Sequence, residues 1–560
     1  MKGKHKGYAV SVVLAVMLAM TAGCGNNTAS ESEGAGADAE QTVAVGAGRI
    51  TQCVNWPCYI DPAVGSGYAD SVSMLNLYDT LTFPNTDGSV SPFVATDWEV
   101  SDDSTEYTFH LRDDVYFHSG NPLTASDVKF SMDRLLTIGE GYAYLFVDLI
   151  DSVAAVDEHT VLFKLKKPSG TFHSTVIRLY ILDEKTVMEN IDASGTYGEF
   201  GDYGKAWLTT NDAGSGPYKV KEMKTEEYLL MERNADYWGG WEDGAPEQAK
   251  VIGGITGANL RTMMSRGEVD ISYDAETQET YDALDELDGM TVVRLAMGTN
   301  LNLMLNTKLA PTDDIHLRRA MAYAMDYETL GTNIYPKSRT ATGPIPSGFK
   351  AALDASEFPY SRNLEKAKAE LEQSPYREEL LSGELPIALT WCTEGGDRQE
   401  KFALLVQAGM SELGVKVNIT GKPFAAMMTD AQTVETTPNA SMVVFAPPSL
   451  DVGSVLKARY HSDSCGSWEQ MEWLRDAEID EMIETAVTIP GDAERDAQYA
   501  EIARKIVELC PTIWLDLSHP MAYNSDHVVL WPAAEISKTG EPFIYATGYT
   551  AYYRDFRLAE

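Results

Sequence analysis

The first apolar stretch of the chain is too short to cross a membrane and lies too early to belong to a folded body. It runs from Tyr8 to Ala22, whereas a transmembrane helix needs about 20 residues. Lys2, Lys4 and Lys6 precede it. A basic start, a short apolar core and small residues before a cleavage point are typical of a secretory signal peptide. Any stable fold must therefore form from the residues that follow, outside the cytoplasm.

The residues around the expected cleavage point resemble a bacterial lipobox. They are Thr21-Ala22-Gly23-Cys24, with Thr21 at the position where the pattern prefers Leu. The resemblance implies that residues 1–23 are removed and that Cys24 carries diacylglycerol, which a bilayer holds by about 0.8 kcal/mol per buried methylene. An ordinary secretory signal with an incidental cysteine is the alternative. Residues 24–48 are rich in small and polar residues without apolar periodicity, so we expect a flexible tether there.

The acidic composition excludes one large class of partners. The chain has 84 acidic and 44 basic residues, a formal net charge of −40. Proteins bind nucleic acids mainly through Lys and Arg, so we do not expect a nucleic-acid-binding protein. The hydrophobic share of 44% and the charged share of 23% are typical of a globular protein, and the length corresponds to about three or four domains.

The cysteines are too sparse for a disulfide scaffold, since the whole chain has six. If Cys24 is lipidated, at least one of the remaining five is unpaired. Cys53 and Cys58 are near enough in sequence to close a small loop, but a bridge also needs suitable geometry. The sequence leaves that pairing open.

Strand-like and helical patterns alternate through the rest of the chain. Residues 105–111 alternate with a period of two, which predicts a strand whose Tyr107, Phe109 and Leu111 face a core. Thr124, followed by Asp127, is near the capping-box pattern and predicts the start of a helix. Further strands are expected over 160–166, 218–224, 301–305, 387–391, 415–419 and 512–517, and further helices over 313–329, 364–371, 397–413, 479–486 and 496–509. This order predicts an α/β to α+β body.

The common motifs of enzyme and metal sites are absent from the sequence. It contains no glycine-rich phosphate loop that ends in Lys-Ser or Lys-Thr, no His-Glu-x-x-His and no Gly-x-Ser-x-Gly. His461 and Cys465 are the nearest candidates for metal ligands, but the Ser and Gly residues around them indicate a surface loop. We expect no catalytic residues, metal or cofactor. A Ser, a His and an Asp that converge from distant segments stay an open alternative.

Several segments together resemble family 5 of the extracellular solute-binding proteins, which includes oligopeptide, dipeptide, nickel and some oligosaccharide receptors of ABC importers. The longest similar stretch covers residues 98–131 and includes Trp98-Glu99-Val100-Ser101-Asp102-Asp103, Tyr107-Thr108-Phe109-His110-Leu111-Arg112 and His118-Ser119-Gly120-Asn121-Pro122-Leu123-Thr124-Ala125. Shorter matches follow in the family's order: Leu77-Tyr78-Asp79-Thr80-Leu81, Gly214-Ser215-Gly216-Pro217-Tyr218, Leu305-Asn306-Thr307-Lys308 and Pro359-Tyr360. The resemblance extends over about residues 49–560.

This resemblance implies an α/β fold of two lobes, the large type of periplasmic-binding-protein fold, with an α+β domain inserted in the first lobe. The first lobe would consist of residues 49–80, 186–304 and 524–560, the inserted domain of 81–185, and the second lobe of 305–523. Such proteins bind a solute by closing the lobes around it. The protein would do no chemistry itself and would deliver the solute to an ABC permease, whose ATPase subunits use the ATP.

The resemblance also implies which residues lie between the lobes. The candidates for ligand contact are Trp56, Tyr59, Trp391, Cys392, Phe445, Pro448, Asp451 and Asn302. The aromatic side chains among them could stack on a ligand or fill a core. Peptide receptors of the family carry an Asp just after the strand that ends here at Phe445, and that Asp binds the peptide α-amine. Pro447-Pro448 occupies this stretch, so free-amine peptide binding would need Asp451 or Glu394 instead, because a buried ammonium requires an acceptor.

The ligand expected from the family is a peptide, with an oligosaccharide or a metal chelate as the alternatives. A ligand-sensing signalling receptor and a secreted enzyme are alternatives of another class. We expect a monomer in the cell envelope, which a lipid anchors to the outer face of the cytoplasmic membrane, or a periplasmic protein. Its protein partners would be the permease and ATPase subunits.

Overall fold

The computed structural model describes residues 48–559, except 256, 275, 337, 341, 448 and 542. The expected signal peptide, Cys24 and the tether up to residue 47 lie outside the described residues and stay predictions. Across the described ranges, a helix with the length and apolar character needed to cross a bilayer is not found.

Strands and helices alternate along these residues. The strands are β1 Arg49–Val54, β2 Thr82–Pro84, β3 Val90–Pro92, β4 Ala95–Val100, β5 Glu106–Leu111, β6 Ile150–Asp157, β7 Thr160–Leu165, β8 Tyr218–Lys224, β9 Tyr228–Arg233, β10 Gln248–Gly253, β11 Met290–Leu305, β12 Arg339–Thr340, β13 Ile387–Cys392, β14 Val417–Lys422, β15 Ala440–Phe445, β16 Thr512–Asn524, β17 Val528–Leu530 and β18 Arg557–Leu558. The helices are α1 Tyr68–Leu77, α2 Ala125–Ile138, α3 Phe172–Thr175, α4 Glu184–Glu189, α5 Gly257–Ser265, α6 Gln278–Asp285, α7 Ile315–Ala324, α8 Tyr327–Thr329, α9 Leu364–Leu371, α10 Arg377–Ser382, α11 Gly396–Glu412, α12 Phe424–Asp430, α13 Val452–Tyr460, α14 Ala477–Ala486, α15 Asp492–Leu509 and α16 Pro532–Ser537.

The larger sheets correspond to different parts of the chain. One sheet has the strand order β1-β10-β9-β8, a second has the order β12-β16-β11-β15-β13-β14, and a third has the order β4-β5-β7-β6. The third sheet lies wholly within residues 81–185, the segment expected to be an inserted domain. The boundaries of the expected domains stay a prediction.

Two long strands, β11 and β16, connect the first two sheets. The second half of β11 and the first half of β16 lie inside the six-stranded sheet. The other halves of the two strands pair with each other beyond that sheet. There, Ile271 forms bridges to both Gln52 of β1 and Tyr523 of β16. The same antiparallel pair therefore runs from one sheet into the other.

Local patterns in the sequence predicted several elements well. Tyr107 and Phe109 of β5 are fully buried and Leu111 is 7% exposed, which confirms the alternation. Asp127 accepts from the backbone N–H of Thr124 at 2.8 Å, which confirms the cap at the start of α2. The helix expected over 313–329 instead ends at Ala324, because the next residue is extended and a new cap begins one residue later.

The pairing of Cys53 with Cys58 is not formed. Both cysteines are free thiols, and they face different hydrophobic clusters. The Cys53 Sγ contacts the carbonyl oxygen of Ile255 at 3.4 Å, whereas the Cys58 Sγ lies 3.0 Å from the hydroxyl of Ser73. Because the two side chains point into separate cores, the geometry of a bridge cannot be met.

Buried polar contacts attach the segment 81–185 to residues of the expected first lobe. Arg134 of α2 donates to both carboxylate oxygens of Asp61, at 2.6 and 2.7 Å. Nδ1 of His118 lies 2.5 Å from Oδ1 of Asp212, and both side chains are buried. Burial disfavours a charged imidazole, but the charge and hydrogen bond of Asp212 outweigh it and raise the pKa of His118. These contacts attach the segment to Asp61 and Asp212 of the expected first lobe.

We predict that Arg134→Ala lowers the free energy of unfolding by about 3–5 kcal/mol, because it leaves the carboxylate of Asp61 buried without its partner. The matched control is Lys164→Ala, which removes an ion pair to Glu106 whose side chains are 49% and 46% exposed and should cost at most about 1 kcal/mol. Urea unfolding measures both. Equal losses in the two variants would contradict the prediction.

Candidate functional site

The strand pair β11 and β16 changes register between the two sheets. Ala296 pairs with Ser518 and Asn300 with Asp516, so β11 advances by four residues where β16 advances by two. Such a bulge bends a strand pair locally. Gly298 has a φ of 66° in this bulge, in the left-handed region that favours glycine. We infer that the two sheets can bend relative to each other at this point.

Segments from both expected lobes lie against the bulge. A Cβ at Gly298 would lie 2.5 Å from Ile544, near the end of the chain, and 3.8 Å from Pro447, which follows β15. The backbone N–H of Ser347 donates to Asp516 at 3.1 Å. We define the crossover site by the side chains that the two lobes bring to this region: Tyr68, Tyr273, Asp274, His519, Tyr335 and Arg398.

One side of the crossover site combines two aromatic rings of the expected first lobe with an ionisable pair between Asp274 and His519 of β16. His519, which is in register with Leu295 just beyond the bulge, places Nδ1 2.6 Å from Oδ2 of Asp274. The rings of Tyr68 and Tyr273 are 5.7 Å apart. Burial, with the negative charge of Asp274, raises the pKa of Tyr273 to about 12. Nε2 of His519 is buried and has no hydrogen-bond partner among the described residues.

The second-lobe side presents an arginine. Arg398 lies in the first turn of α11. Among the described residues, its guanidinium forms no hydrogen bond and no ion pair. Burial lowers the pKa of Arg294 on β11, and the charge of Arg398 lowers it further. Burial raises the pKa of Tyr335, and the same charge opposes that rise. Arg398 is therefore near groups of both lobes without being paired to any of them.

The arrangement suits a small polar ligand with an anionic group. Ligand sites usually combine apolar or aromatic walls with a few directed polar groups. Here the aromatic walls are tyrosines, and the polar groups are an imidazole nitrogen and a guanidinium. An arginine binds a carboxylate through two parallel hydrogen bonds. No nucleophile is placed beside a general base in this set, so the geometry indicates binding.

Comparison with known proteins places the chain in a family. The model of the bacterial extracellular solute-binding proteins, family 5 Middle, matches residues 89–465. The chain belongs to this family. The probable D,D-dipeptide-binding periplasmic protein DdpA of Escherichia coli is 28% identical over 480 residues, which cover 84% of this chain and 88% of DdpA. The di/tripeptide-binding protein 2 of Pseudomonas aeruginosa is 27% identical over 496 residues, 83% of this chain and 88% of that protein.

Solved structures show the same fold. HbpA2 from Haemophilus parasuis superposes with a TM-score of 0.75 at 21% identity, covering 91% of this chain and 100% of the other. The ABC transporter substrate-binding protein CtaP from Listeria monocytogenes has a TM-score of 0.74 at 21% identity, with 92% and 99% covered. The family 5 protein therefore has the two-lobed α/β fold that its sequence indicated, and β11 and β16 are the strands that join its lobes.

Two of the expected ligand residues, Trp56 and Tyr59, follow β1 in the first lobe. Nε1 of Trp56 donates to the carbonyl oxygen of Thr225 at 2.8 Å, and its ring packs on Gly253. Tyr59 is 48% exposed. The structure places neither of them with the tyrosines of the crossover site, and a ligand role for them stays a prediction.

Four more lie on the six-stranded sheet of the second lobe. The ring of Trp391 covers Gly421 on the neighbouring strand. Cys392 is buried and its thiol donates to Glu394 at 3.2 Å. Phe445 is buried, and its ring centroid lies 6.3 Å from that of Trp468. It is in register with Asn300 of the bulge. Asn302 is 2% exposed and donates to the carbonyl oxygen of Asn300 at 3.1 Å. Their role in ligand binding stays a prediction.

The two acids expected to replace the missing peptide-amine partner already have partners of their own. Asp451 caps α13 by accepting from the N–H of Gly453 at 2.9 Å, and burial raises the pKa of its carboxyl. Glu394 accepts from the N–H of Phe424 at 3.0 Å with both oxygens. Pro448 lies outside the described residues. A peptide amine would thus find neither acid unoccupied.

Sequence reasoning did not identify the residues of the crossover site. Asp274 and His519 are 245 positions apart, and no local pattern marks either of them. Arg398 lies among the charged residues of an ordinary helix start. The one usable signal was the expected strand end at Trp391 and Cys392, with Glu394 after it, which stopped four residues short of Arg398.

We predict that Gly298→Ala destabilises the protein more than Gly240→Ala does. Both glycines have a φ near 65°, but a Cβ at Gly240 meets nothing within 4 Å, whereas one at Gly298 lies 2.5 Å from buried Ile544. The left-handed conformation alone costs about 1–2 kcal/mol, and the contact adds to that cost. Urea unfolding compares the two variants, and an equal loss would show that the bulge is not tightly packed.

Proposed function

We propose that this family 5 protein is the substrate-binding subunit of an ABC importer and that it captures short peptides in the crossover site. The support is the combination of family membership with two relatives whose names give di- or tripeptide binding. Each of them is matched over more than four fifths of this chain. Closure of the lobes at the β11–β16 bulge would enclose the ligand and present the closed form to the permease.

The unpaired guanidinium of Arg398 would bind the C-terminal carboxylate of the peptide. It lies on the second lobe, whereas the Tyr68 and Tyr273 rings lie on the first, so one ligand would contact both lobes. A ligand that binds the closed form better than the open form shifts the protein towards closure. The carboxylate contact would supply this difference in affinity.

The other end of the peptide would be recognised weakly. Pro447 stands in the stretch where peptide receptors of the family carry the acid for the α-amine, and Asp451 and Glu394 are occupied. Asp274 is already paired with His519. We therefore expect the protein to accept ligands whose amine is blocked, which separates it from a receptor that selects free dipeptides by their amine.

Calorimetric titration with D-Ala-D-Ala and L-Ala-L-Ala tests the proposal. We expect at least one of them to bind, its C-terminal amide to bind at least tenfold more weakly, and its N-acetyl form to bind within about threefold. A charge-assisted hydrogen bond of about 1.5–3 kcal/mol sets the first ratio. Binding of neither dipeptide, with an oligosaccharide or a metal chelate found by native mass spectrometry of protein from its source, would contradict peptide recognition.

A variant of Arg398 tests its role separately. Arg398→Ala should weaken binding of the dipeptide with a free carboxylate at least tenfold and leave binding of its amide unchanged, because the amide has no charge to lose. Arg266→Ala is the control, since its side chain is 67% exposed and pairs weakly with Glu268 at 3.8 Å. An equal loss for acid and amide would show that Arg398 acts on folding or shape.

We also propose that a lipid on Cys24 holds the protein at the membrane surface. The family is extracellular, and the lipobox-like residues before Cys24 support an anchor there. We predict that Cys24→Ser moves the protein from the membrane fraction to the soluble fraction of the cell envelope and leaves its dipeptide affinity unchanged. Fractionation and immunoblotting measure this, and retention of the variant in the membrane fraction would contradict the proposal.

A further inference from the structure

The segment 81–185 contacts the second lobe on the side away from its attachment to the first. The backbone N–H of Gly170 donates to the carbonyl oxygen of Val487 at 2.7 Å. Arg495 donates to the carbonyl oxygen of Gly170 at 3.0 Å. The hydroxyl of Ser104 donates to the backbone carbonyl oxygen of Thr488 at 3.0 Å. These bonds link the loop before α3 and the turn before β5 to the end of α14 and the start of α15.

The backbone at Gly170 lies very close to the backbone at Ile489 of the second lobe. A Cβ at this position would lie 2.2 Å from the carbonyl oxygen of Ile489, so only glycine allows the two backbones to meet. At another place in the same joint, Lys350 of the second lobe forms an ion pair with Asp87 of the β2–β3 turn. Its Nζ lies 2.9 Å from the carboxylate. The contact therefore has a backbone part and a charged part, at two separate places.

The packing of the joint is incomplete. A cavity of about 50 Å³ lies between Asp87, Lys350 and the first turns of α15. The Tyr499 hydroxyl and Nδ1 of His173, both from buried side chains in its lining, have no hydrogen-bond partner among the described residues. Domain cores are packed without such gaps. The gap and the two unpaired polar atoms therefore weaken this joint relative to a fully packed core.

We propose that these contacts form an interlobe latch that holds part of the ligand-free protein closed. The latch is defined by Ser104, Gly170, Val487, Thr488 and Arg495, with the pair Asp87 and Lys350. This inference rests on the proposed function, because it assumes that the lobes open and close. Buried contacts fix residues 81–185 to the first lobe, so opening at the bulge must separate them from α14 and α15.

The latch contributes to the affinity for every ligand, although it makes no contact with the ligand. The apparent dissociation constant equals the intrinsic constant divided by the closed, binding-competent fraction. A variant that loses the latch should bind every ligand more weakly by the same factor. A variant of the crossover site should weaken each ligand by a different factor.

The variant Gly170→Ala tests the latch. Its added methyl group meets Ile489 only when the joint is closed, and Gly170 is outside the left-handed region, so the substitution carries no intrinsic backbone strain. Gly491→Ala, in the same joint, is the matched control, because a Cβ there meets nothing within 4 Å. The two variants add the same group at neighbouring places and differ only in the clash.

Interlobe distances in the ligand-free protein provide the measurement. Nitroxides at Glu99 of the inserted segment and Glu501 of α15, both exposed, are attached in a Cys465→Ser background and measured by double electron–electron resonance. We expect a closed population in the wild type that Gly170→Ala reduces at least threefold and Gly491→Ala leaves unchanged, with the urea midpoints of all three proteins the same. A wild type without a closed population, or a distribution that Gly170→Ala does not change, would overturn the latch.

A second set of variants removes the charged part of the latch, the ion pair between Asp87 and Lys350. Asp87→Ala, Lys350→Ala and the double variant should each reduce the closed population, and the double variant should do no more than either single one, because each single change breaks the same ion pair. Where D-Ala-D-Ala binds, its dissociation constant should rise by the factor by which the closed population falls. Failure of D-Ala-D-Ala to bind would count against the peptide proposal alone, since the distances are measured without ligand.

Discussion

The pairing of β11 with β16 is the constraint on which the rest of the structure depends. These strands are 16 and 13 residues long, and they form one antiparallel pair that is interrupted only by the bulge between Ala296 and Asn300. A ladder of backbone hydrogen bonds resists stretching and shear, but a bulge within it bends easily. Placing the bulge between the sheets gives each lobe a rigid frame and concentrates bending at Gly298. The crossover site lies beside that bend.

Charge imposes a second constraint, at a different range. The net charge of −40 creates a field that repels an anionic ligand at long range, yet salt screens such a field beyond about 8 Å under physiological conditions. Within that distance Arg398 dominates, because it has no partner to neutralise it. An acidic surface with the unpaired Arg398 between the lobes therefore disfavours nonspecific anion binding and still permits an anionic group inside. A zwitterion such as a peptide, with little net charge, crosses the outer field at low cost.

The sequence predicted local structure and family much better than the site. The alternation in β5 and the cap of α2 depend on residues within a few positions of each other, and both were found. The long family-like stretch over 98–131 identified the fold, although its Tyr107 and Phe109 serve the core. The crossover site depends on side chains hundreds of positions apart, which only the paired strands bring together. The strand ends pointed to one edge of the sheet. At that edge Cys392 and Phe445 are buried, whereas Arg398 on the following helix is partly exposed.

Opening and closing in such a fold is a competition between two kinds of contact. Ligand contacts at the crossover site favour closure only when a ligand is present, whereas the contacts of Gly170 and Arg495 favour it always. If the contacts that are always present are too strong, the protein stays closed and both entry and release of the ligand become slow. If they are absent, the ligand must supply all the free energy of closure. A polar joint that contains a cavity keeps the ligand-independent contribution to closure small. The gap beside Tyr499 then has a physical reason: a fully packed joint would stabilise the closed form beyond what release to a permease allows.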